Sequence, residues 1–151
     1  MAGYKGHSVG AVVLLLVAMH YFGNYFHNPD LVDIILYVAI AVMFGLWPDV
    51  DIKSKGQKIF YSIFFVTDLY LIINQEYKIA AYFGLIIILP ILARHRGWTH
   101  TLTAMILIPL PILLYPMYDM GTATLSGLPY YAAAVTGYFS HLLLDKEVKV
   151  F

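Results

Sequence analysis

Histidine and aspartate, the metal-ligating residue types that remain when cysteine is absent, occur in four separate parts of this sequence. The most distinctive part is His95-Arg96-Gly97-Trp98-Thr99-His100, in which two imidazoles lie five residues apart across a glycine. A neutral imidazole nitrogen binds zinc, iron or manganese, and two imidazoles near one turn can share an ion. The spacing alone is equally consistent with an interfacial loop. We expect Thr99 to cap the helix that follows, with His100 in its first turn.

A second part contains two carboxylates, Asp49 and Asp51, directly after Leu46-Trp47-Pro48. Proline disfavours helix in the preceding residue, so a helix should end here and an extended stretch should follow. Side chains two apart on an extended stretch share a face, and both carboxylates can then point at one target. Two such carboxylates repel each other unless a cation lies between them or one is protonated. A solvated turn is the alternative, given the lysines that follow.

The remaining parts lie near the two ends of the chain. Gly137, His141 and Asp145 follow one another at intervals of four residues, which places them on one face of a helix. The glycine permits close helix contact, and the other two residues form a two-ligand face or an ordinary interfacial pair. His7 lies at the mouth of the first apolar segment, as a ligand or as an interfacial residue.

The composition indicates which elements must position these residues. The 151 residues are 61% hydrophobic and 12% charged, and the mean hydropathy is +0.76, which is typical of an integral membrane protein. We predict one all-α membrane domain over residues 1–151, a bundle of about six transmembrane helices. The absence of cysteine excludes disulfides and thiolate ligands. The predicted segments are Val9 to Phe26, Leu31 to Trp47, Ile59 to Asn74, Ile79 to Ala93, Leu102 to Tyr118 and Leu128 to Leu144.

The positions of the basic residues predict the orientation of the bundle. Six crossings place both termini and two of the loops on one side, and that side holds eight of the nine basic residues, with Lys78 on the other. This bias assigns the first side to the cytoplasm, with both termini there. A net charge of zero argues against nucleic-acid binding. The eight are Lys5, Lys53, Lys55, Lys58, Arg94, Arg96, Lys146 and Lys149.

The same topology brings all the candidate ligands to the cytoplasmic ends of helices. We therefore predict one polynuclear site that holds two or three divalent metal ions, with zinc favoured and manganese or iron as alternatives. Asp49, Asp51 and His100 are assigned to the reaction itself. The predicted ligands are His7, Asp49, Asp51, His95, His100, His141 and Asp145.

Four motifs in this order resemble the YdjM-like family of LexA-regulated, membrane-bound metal-dependent hydrolases. They are Gly6-His7, the Leu46 to Asp51 stretch, the block from His95 to Leu102, and the stretch from Gly137 to Asp145. The resemblance implies a multi-pass inner-membrane protein with hydrolase activity. The final helical His-x-x-x-Asp is also distantly similar to zinc-dependent phospholipase C. After Asp145 the sequence departs from the family, whose members continue with a Thr-Pro-Gly-containing segment, and this departure bears on specificity and activity.

These features together predict hydrolysis of a phosphoester in a membrane lipid or lipid-linked substrate at the cytoplasmic face, by metal-activated water. Arg94, Arg96, Lys53 and Lys55 surround the site and are candidates for holding phosphate oxygens, although topology alone also explains them. Amide or acyl-ester hydrolysis uses the same chemistry. Two other classes remain open. One is a metal transporter or sensor, with His20 and Asp68 in the middle of a path, and the other is a catalytically silent scaffold.

Overall fold

The structure is a computed structural model that describes residues 3–26, 28–50, 55–92, 98–119 and 125–146. Within these residues the chain is helical, and α5 and α6 form one segment interrupted around Ile108 and Pro109. The prediction of an all-α chain with six helical segments is confirmed for this part of the chain. The helices are α1 (Tyr4–Tyr21), α2 (Leu31–Leu46), α3 (Lys55–Ile73), α4 (Tyr77–Leu92), α5 (Leu102–Leu107), α6 (Leu110–Asp119) and α7 (Leu128–Asp145).

Local sequence explains where α2 begins and ends. Asp30 caps its start, because the Asp33 backbone N–H donates to the Asp30 carboxylate at 2.8 Å and the Asp30 N–H donates back to Asp33. The helix ends at Leu46, and a 3-10 turn (Trp47–Asp49) follows. Proline at position 48 has no N–H to continue the α-helical ladder. Asp49 therefore lies in a 3-10 turn and not in the extended stretch that the sequence predicts.

A second 3-10 turn (Trp98–His100) precedes α5, and it corrects the predicted cap. The hydroxyl of Thr101, not of Thr99, accepts a hydrogen bond from the Ala104 backbone N–H at 3.1 Å. His100 consequently lies before the helix and not in its first turn. Two threonines that flank one histidine offer the same cap chemistry, so the sequence could not distinguish them.

The centre of the fold is formed by α1, α2 and α7, which pack against one another. Small residues make this packing close, because Ala11, Ala41 and Ala133 are fully buried between the three helices. Gly137 of α7 crosses the backbone of α2 so closely that a Cβ there would lie 2.0 Å from the Ala41 carbonyl oxygen. The predicted close contact at this glycine is confirmed.

Aromatic and aliphatic side chains form a second cluster at one end of this centre. Trp47 and Tyr138 are almost fully buried there, with ring centroids 5.7 Å apart. Phe60 and Phe64 of α3 join the same cluster. These large side chains enclose the two 3-10 turns, and so they determine where Asp49 and His100 can lie.

Among the described helices, one run is long and apolar enough by length and composition to cross a membrane. This run is Leu31–Asp49, with a mean hydropathy of 2.1, and Leu102–Tyr118 is a shorter apolar run. Many large apolar side chains nevertheless point outward from α1, α2 and α3. Exposed examples are Val9, Val13, Leu16, Leu31, Val32, Ile35, Phe65, Val66 and Ile73.

Candidate metal centre

Five of the predicted ligands meet at one end of the α1, α2 and α7 centre. His7 lies in the first turn of α1, and Asp49 lies in the turn that follows α2. His100 lies in the turn before α5, and His141 and Asp145 lie one turn apart at the end of α7. The ends of α2 and α7 that point here are carboxyl ends, whose partial negative charge favours a cation.

The ring of His141 is the centre of this cluster. Its Nε2 lies 3.4 Å from Nε2 of His100 and 3.7 Å from Oδ1 of Asp49. It also lies 3.9 Å from Oδ2 of Asp145. The Nε2 atom of His100 is in turn 3.4 Å from the same Asp49 oxygen. Four side chains therefore direct their ligand atoms into one small volume.

His7 completes the cluster from the opposite helix. Its ring stacks on His141 with the centroids 4.1 Å apart, and its Nε2 lies 3.5 Å from Oδ1 of Asp145. The distance from this nitrogen to Oδ2 of Asp49 is 3.8 Å. One ligand atom from each of His7, Asp49, His141 and Asp145 lies within 4.8 Å of the others, so these four residues could hold a metal ion.

The separations between the ligand atoms leave room for a shared ion. Hydrogen bonds between nitrogen and oxygen are typically about 2.7–3.2 Å long, and the distances of 3.4 to 3.9 Å exceed that range. A tetrahedral ion with metal–nitrogen bonds of 2.0–2.1 Å places neighbouring ligand atoms about 3.4 Å apart. The His100 and His141 nitrogens and the Asp49 oxygen match this spacing.

Hydrogen bonds on the far side of two rings orient them for this role. The Nδ1–H of His141 donates to the Gly45 carbonyl at 2.9 Å, because a carbonyl can only accept. In the neutral ring Nε2 is then the unprotonated nitrogen, and it faces the cluster. Nδ1 of His100 lies 3.2 Å from the Thr99 hydroxyl, which can hold that ring in the same tautomer. Such partners are the usual supports of metal-ligating histidines.

Two members of the cluster have polar atoms whose requirements other groups do not meet. Within the described residues, neither ring nitrogen of His7 forms a hydrogen bond. The Oδ1 atom of Asp49 accepts none there either. Burying such atoms without partners costs roughly 1–3 kcal/mol each. A divalent cation would meet these requirements and would separate the two carboxylates. The donor set of imidazole and carboxylate fits zinc, manganese or iron.

Within the described residues the ligands differ in how far they are exposed. The side chains of His7, His100, His141 and Asp145 are almost fully buried, whereas Asp49 keeps 23% of its side chain exposed. Water or a substrate can therefore reach the cluster past Asp49.

Some predicted site residues cannot be placed. Asp51, His95, Lys53, Arg94 and Arg96 lie outside the described residues. The backbone of Lys55 begins α3, and the position of its side chain is not described.

The sequence of the chain is similar to a known family. The sequence matches the model of the YdjM inner membrane protein family over residues 1–147. The chain belongs to the YdjM inner membrane protein family. The resemblance that the motifs indicate is thus confirmed over nearly the whole length. The chain has no significant match among curated proteins and none among solved structures.

The structure adds residues to the candidate metal centre that sequence reasoning missed. Gly45 supplies the carbonyl that orients His141, and the buried hydroxyl of Tyr138 donates to the Thr99 carbonyl. The second bond ties the turn that carries His100 to α7. Gly45 lies close to the Trp-Pro-Asp motif, and Tyr138 lies within the Gly-x-x-x-His motif, so proximity to these motifs was the available signal. The role of Gly45 could not be predicted, because a backbone acceptor has no sequence signature.

We expect Tyr138→Phe to weaken metal binding about tenfold, the lower end of the effect typical for groups that orient ligands. The change removes one hydroxyl and leaves the Thr99 carbonyl without its donor, so the His100 turn loses a tether. Zinc affinity measured by competition with a chelator tests this. Tyr131→Phe is the matched control. Tyr131 lies on the same helix as Tyr138, and its hydroxyl donates to the Ile106 carbonyl at 3.1 Å. Equal affinities for the two variants would contradict the tether.

Proposed function

We propose that the chain is a multi-pass membrane hydrolase that cleaves a phosphoester of a lipid or lipid-linked substrate at the cytoplasmic face, with the help of bound metal ions. The observation that supports it best is the convergence of the His100 and His141 Nε2 atoms on one Asp49 oxygen, at 3.4 and 3.7 Å. Buried imidazoles and carboxylates grouped around one accessible edge are the donor set of catalytic metal sites, which keep a position open.

The proposed site holds two or three divalent ions, with zinc favoured. His7, Asp49, His100, His141 and Asp145 supply ligands for the first ion and part of a second, and Asp51 and His95 supply the remainder. Divalent ions held by these residues would supply activation of water near neutral pH and charge stabilisation for phosphoester hydrolysis. Asp49 has one oxygen near His100 and the other near His7, so it would hold metal together with both imidazoles.

The membrane setting has independent support in the outward faces of the helices. Val9, Val13 and Leu16 of α1 are more than half exposed, as are Leu31 and Val32 of α2. Apolar faces of this size are favourable in lipid and costly in water. The family description names an inner membrane protein. The basic bias of the sequence then places the metal centre, Lys5 and Lys146 on the cytoplasmic side, with both termini there.

A phosphorylated lipid suits both the position of the site and its surroundings. The cluster lies at the ends of apolar helices, which is the depth of lipid headgroups when those helices cross the bilayer. The basic residues Arg94, Arg96, Lys53 and Lys55 are close in sequence to Asp49 and His100. Arginine pairs with phosphate in bidentate fashion, and a lysine contributes a point charge.

Vesicles that contain the zinc-loaded protein and phosphatidic acid should release inorganic phosphate. His100→Ala should abolish the release, because it removes a ligand whose Nε2 lies 3.4 Å from His141. Arg96→Lys keeps the charge but loses the planar fork, so it should weaken substrate binding by about 1–3 kcal/mol and leave metal content unchanged. Loss of metal in Arg96→Lys would contradict a role in binding phosphate.

The same vesicles separate the proposal from other functions. Transport of radiolabelled zinc across the bilayer without phosphate release would contradict hydrolysis and would support a transporter. Bound metal with no turnover on phosphatidic acid, phosphatidylglycerol phosphate or a polyprenyl phosphate would support a scaffold.

A further inference from the structure

An apolar cavity lies at the opposite end of the fold from the metal centre, between α4, α6 and α7. Its volume is about 630 Å³, and it is lined by uncharged side chains that include Phe83, Ile112, Leu114, Tyr115 and Tyr130. Sites for small molecules are usually about 300–1,000 Å³. The cavity is therefore large enough for a ligand, and its chemistry restricts that ligand to an apolar group.

The cavity is built into the helix packing. Gly127, at the start of α7, lets α6 approach, because a Cβ there would lie 2.4 Å from the Ile112 carbonyl oxygen. Pro111 and Pro116 of α6 contribute rings to the wall. These backbone contacts hold α6 against α7 at this end, so the space beside α4 is a feature of the fold and not of one side-chain rotamer.

Two of the walls lead directly to the metal centre. Tyr130 and His141 lie on the same helix eleven residues apart, or roughly 16 Å at 1.5 Å per residue. The other wall, α6, continues back through α5 to His100. Half the hydrocarbon core of a bilayer is about 15 Å thick. A hydrocarbon chain whose headgroup lies at the metal centre would thus reach the cavity after crossing one leaflet.

We infer that this cavity binds the far end of the hydrocarbon chain of the lipid substrate, an inference that rests on the proposed hydrolysis at the metal centre. Within the described part of the chain the lining has no charged side chain, so an apolar chain suits the cavity better than a phosphate or amine headgroup. Because the cavity lies about one leaflet thickness from the metal centre, only a hydrocarbon chain longer than that thickness can reach into it. The cavity therefore makes the protein specific for long-chain or polyprenyl lipid phosphates.

Photo-crosslinking in bilayers tests this without requiring turnover. The probes are two phosphatidic acids that carry a diazirine at the end of one acyl chain. In the short probe this chain has about 10 carbons and does not span one leaflet, and in the long probe it has about 20 carbons and is longer than one leaflet. We expect the long probe to label the cavity wall at Phe83 or Tyr115 at least about fivefold more than the short probe. Equal labelling by both probes, or labelling spread over the outer face of α2, would overturn the inference.

Variants that fill the cavity provide the second comparison. Leu114→Trp should reduce labelling by the long probe about fivefold, and Ser126→Trp should do so from the α7 side. Ile35→Trp is the matched control, because Ile35 is a half-exposed aliphatic residue on α2, as Leu114 is on α6. Unchanged metal content reports that each variant is folded. Undiminished labelling in both folded variants would overturn the inference.

The outcomes distinguish this inference from the proposed hydrolysis. Length-dependent labelling of the cavity with no phosphate release would support the chain site and contradict the hydrolase. Phosphate release that does not depend on chain length, without labelling of the cavity, would support the hydrolase and overturn the chain site. Cross-links from one copy's cavity to a second copy would also overturn it.

Discussion

Replacing His141 by alanine is expected to remove most of the bound metal and to abolish hydrolysis, while the chain still folds. Nε2 of His141 lies within 4 Å of ligand atoms of His100, Asp49 and Asp145. Its loss therefore takes away a ligand and the surface on which the His7 ring stacks. Because groups that only orient ligands are worth about 10- to 100-fold in affinity, we expect a loss of more than about 100-fold.

The measurement is elemental analysis of protein purified without chelator, followed by phosphate release from phosphatidic acid. His20→Ala is the matched control, because His20 is exposed at the other end of α1, where its ring lies 5.0 Å from Tyr21. That variant should keep the metal and the activity of the unaltered protein. Undiminished metal in His141→Ala would exclude α7 from the site and leave the proposed mechanism without its central ligand.

The second large effect is expected from a single methyl group at a position that supplies no ligand atom. In Gly137→Ala the new Cβ would lie 2.0 Å from the Ala41 carbonyl oxygen and under 3 Å from two further backbone atoms of that residue. Backbone atoms cannot rotate away, so α2 and α7 must separate. We expect a loss of about 3 kcal/mol in the free energy of unfolding, the upper part of the range for overpacking.

Gly84→Ala is the control for this substitution, since a Cβ at Gly84 of α4 would have no neighbour within 4 Å. Alanine is the better helix former, so this variant should gain about 0.5–1 kcal/mol. Thermal unfolding in detergent compares the two. Metal affinity should fall as well in Gly137→Ala, because α2 precedes Asp49 and α7 carries His141. Similar unfolding temperatures for both variants would show that the contact of α2 with α7 is not tight.

Both predictions concern the same physical arrangement. The metal ligands are held by the ends of helices, and those ends meet only because small residues let the helix axes approach. In the described part of the chain, aromatic side chains around Trp47 and Tyr138 pack beside the two turns, and the ligands other than Asp49 are almost fully buried. A buried group of carboxylates and imidazoles is costly without a cation, so the packing and the metal should stabilise each other.

Much of this arrangement follows from the sequence because it depends on short-range regularities. Apolar segments of nearly constant length predict six helical segments, and intervals of four residues place Gly137, His141 and Asp145 on one helix face. The order of the six segments brings the candidate ligands to one side of a bundle. Each of these inferences requires only helical periodicity, transfer energies and chain order.

The tertiary structure decided everything that depends on distances between helices. It brought His7 onto His141, set the two Nε2 atoms 3.4 Å apart, and selected the Gly45 carbonyl as the partner of His141. Local patterns could not identify Thr101 as the cap, because Thr99 has the same hydroxyl and lies two residues away. Which groups meet is decided by the close approach of α1, α2 and α7, and that approach is the combined result of many contacts between residues far apart in the chain.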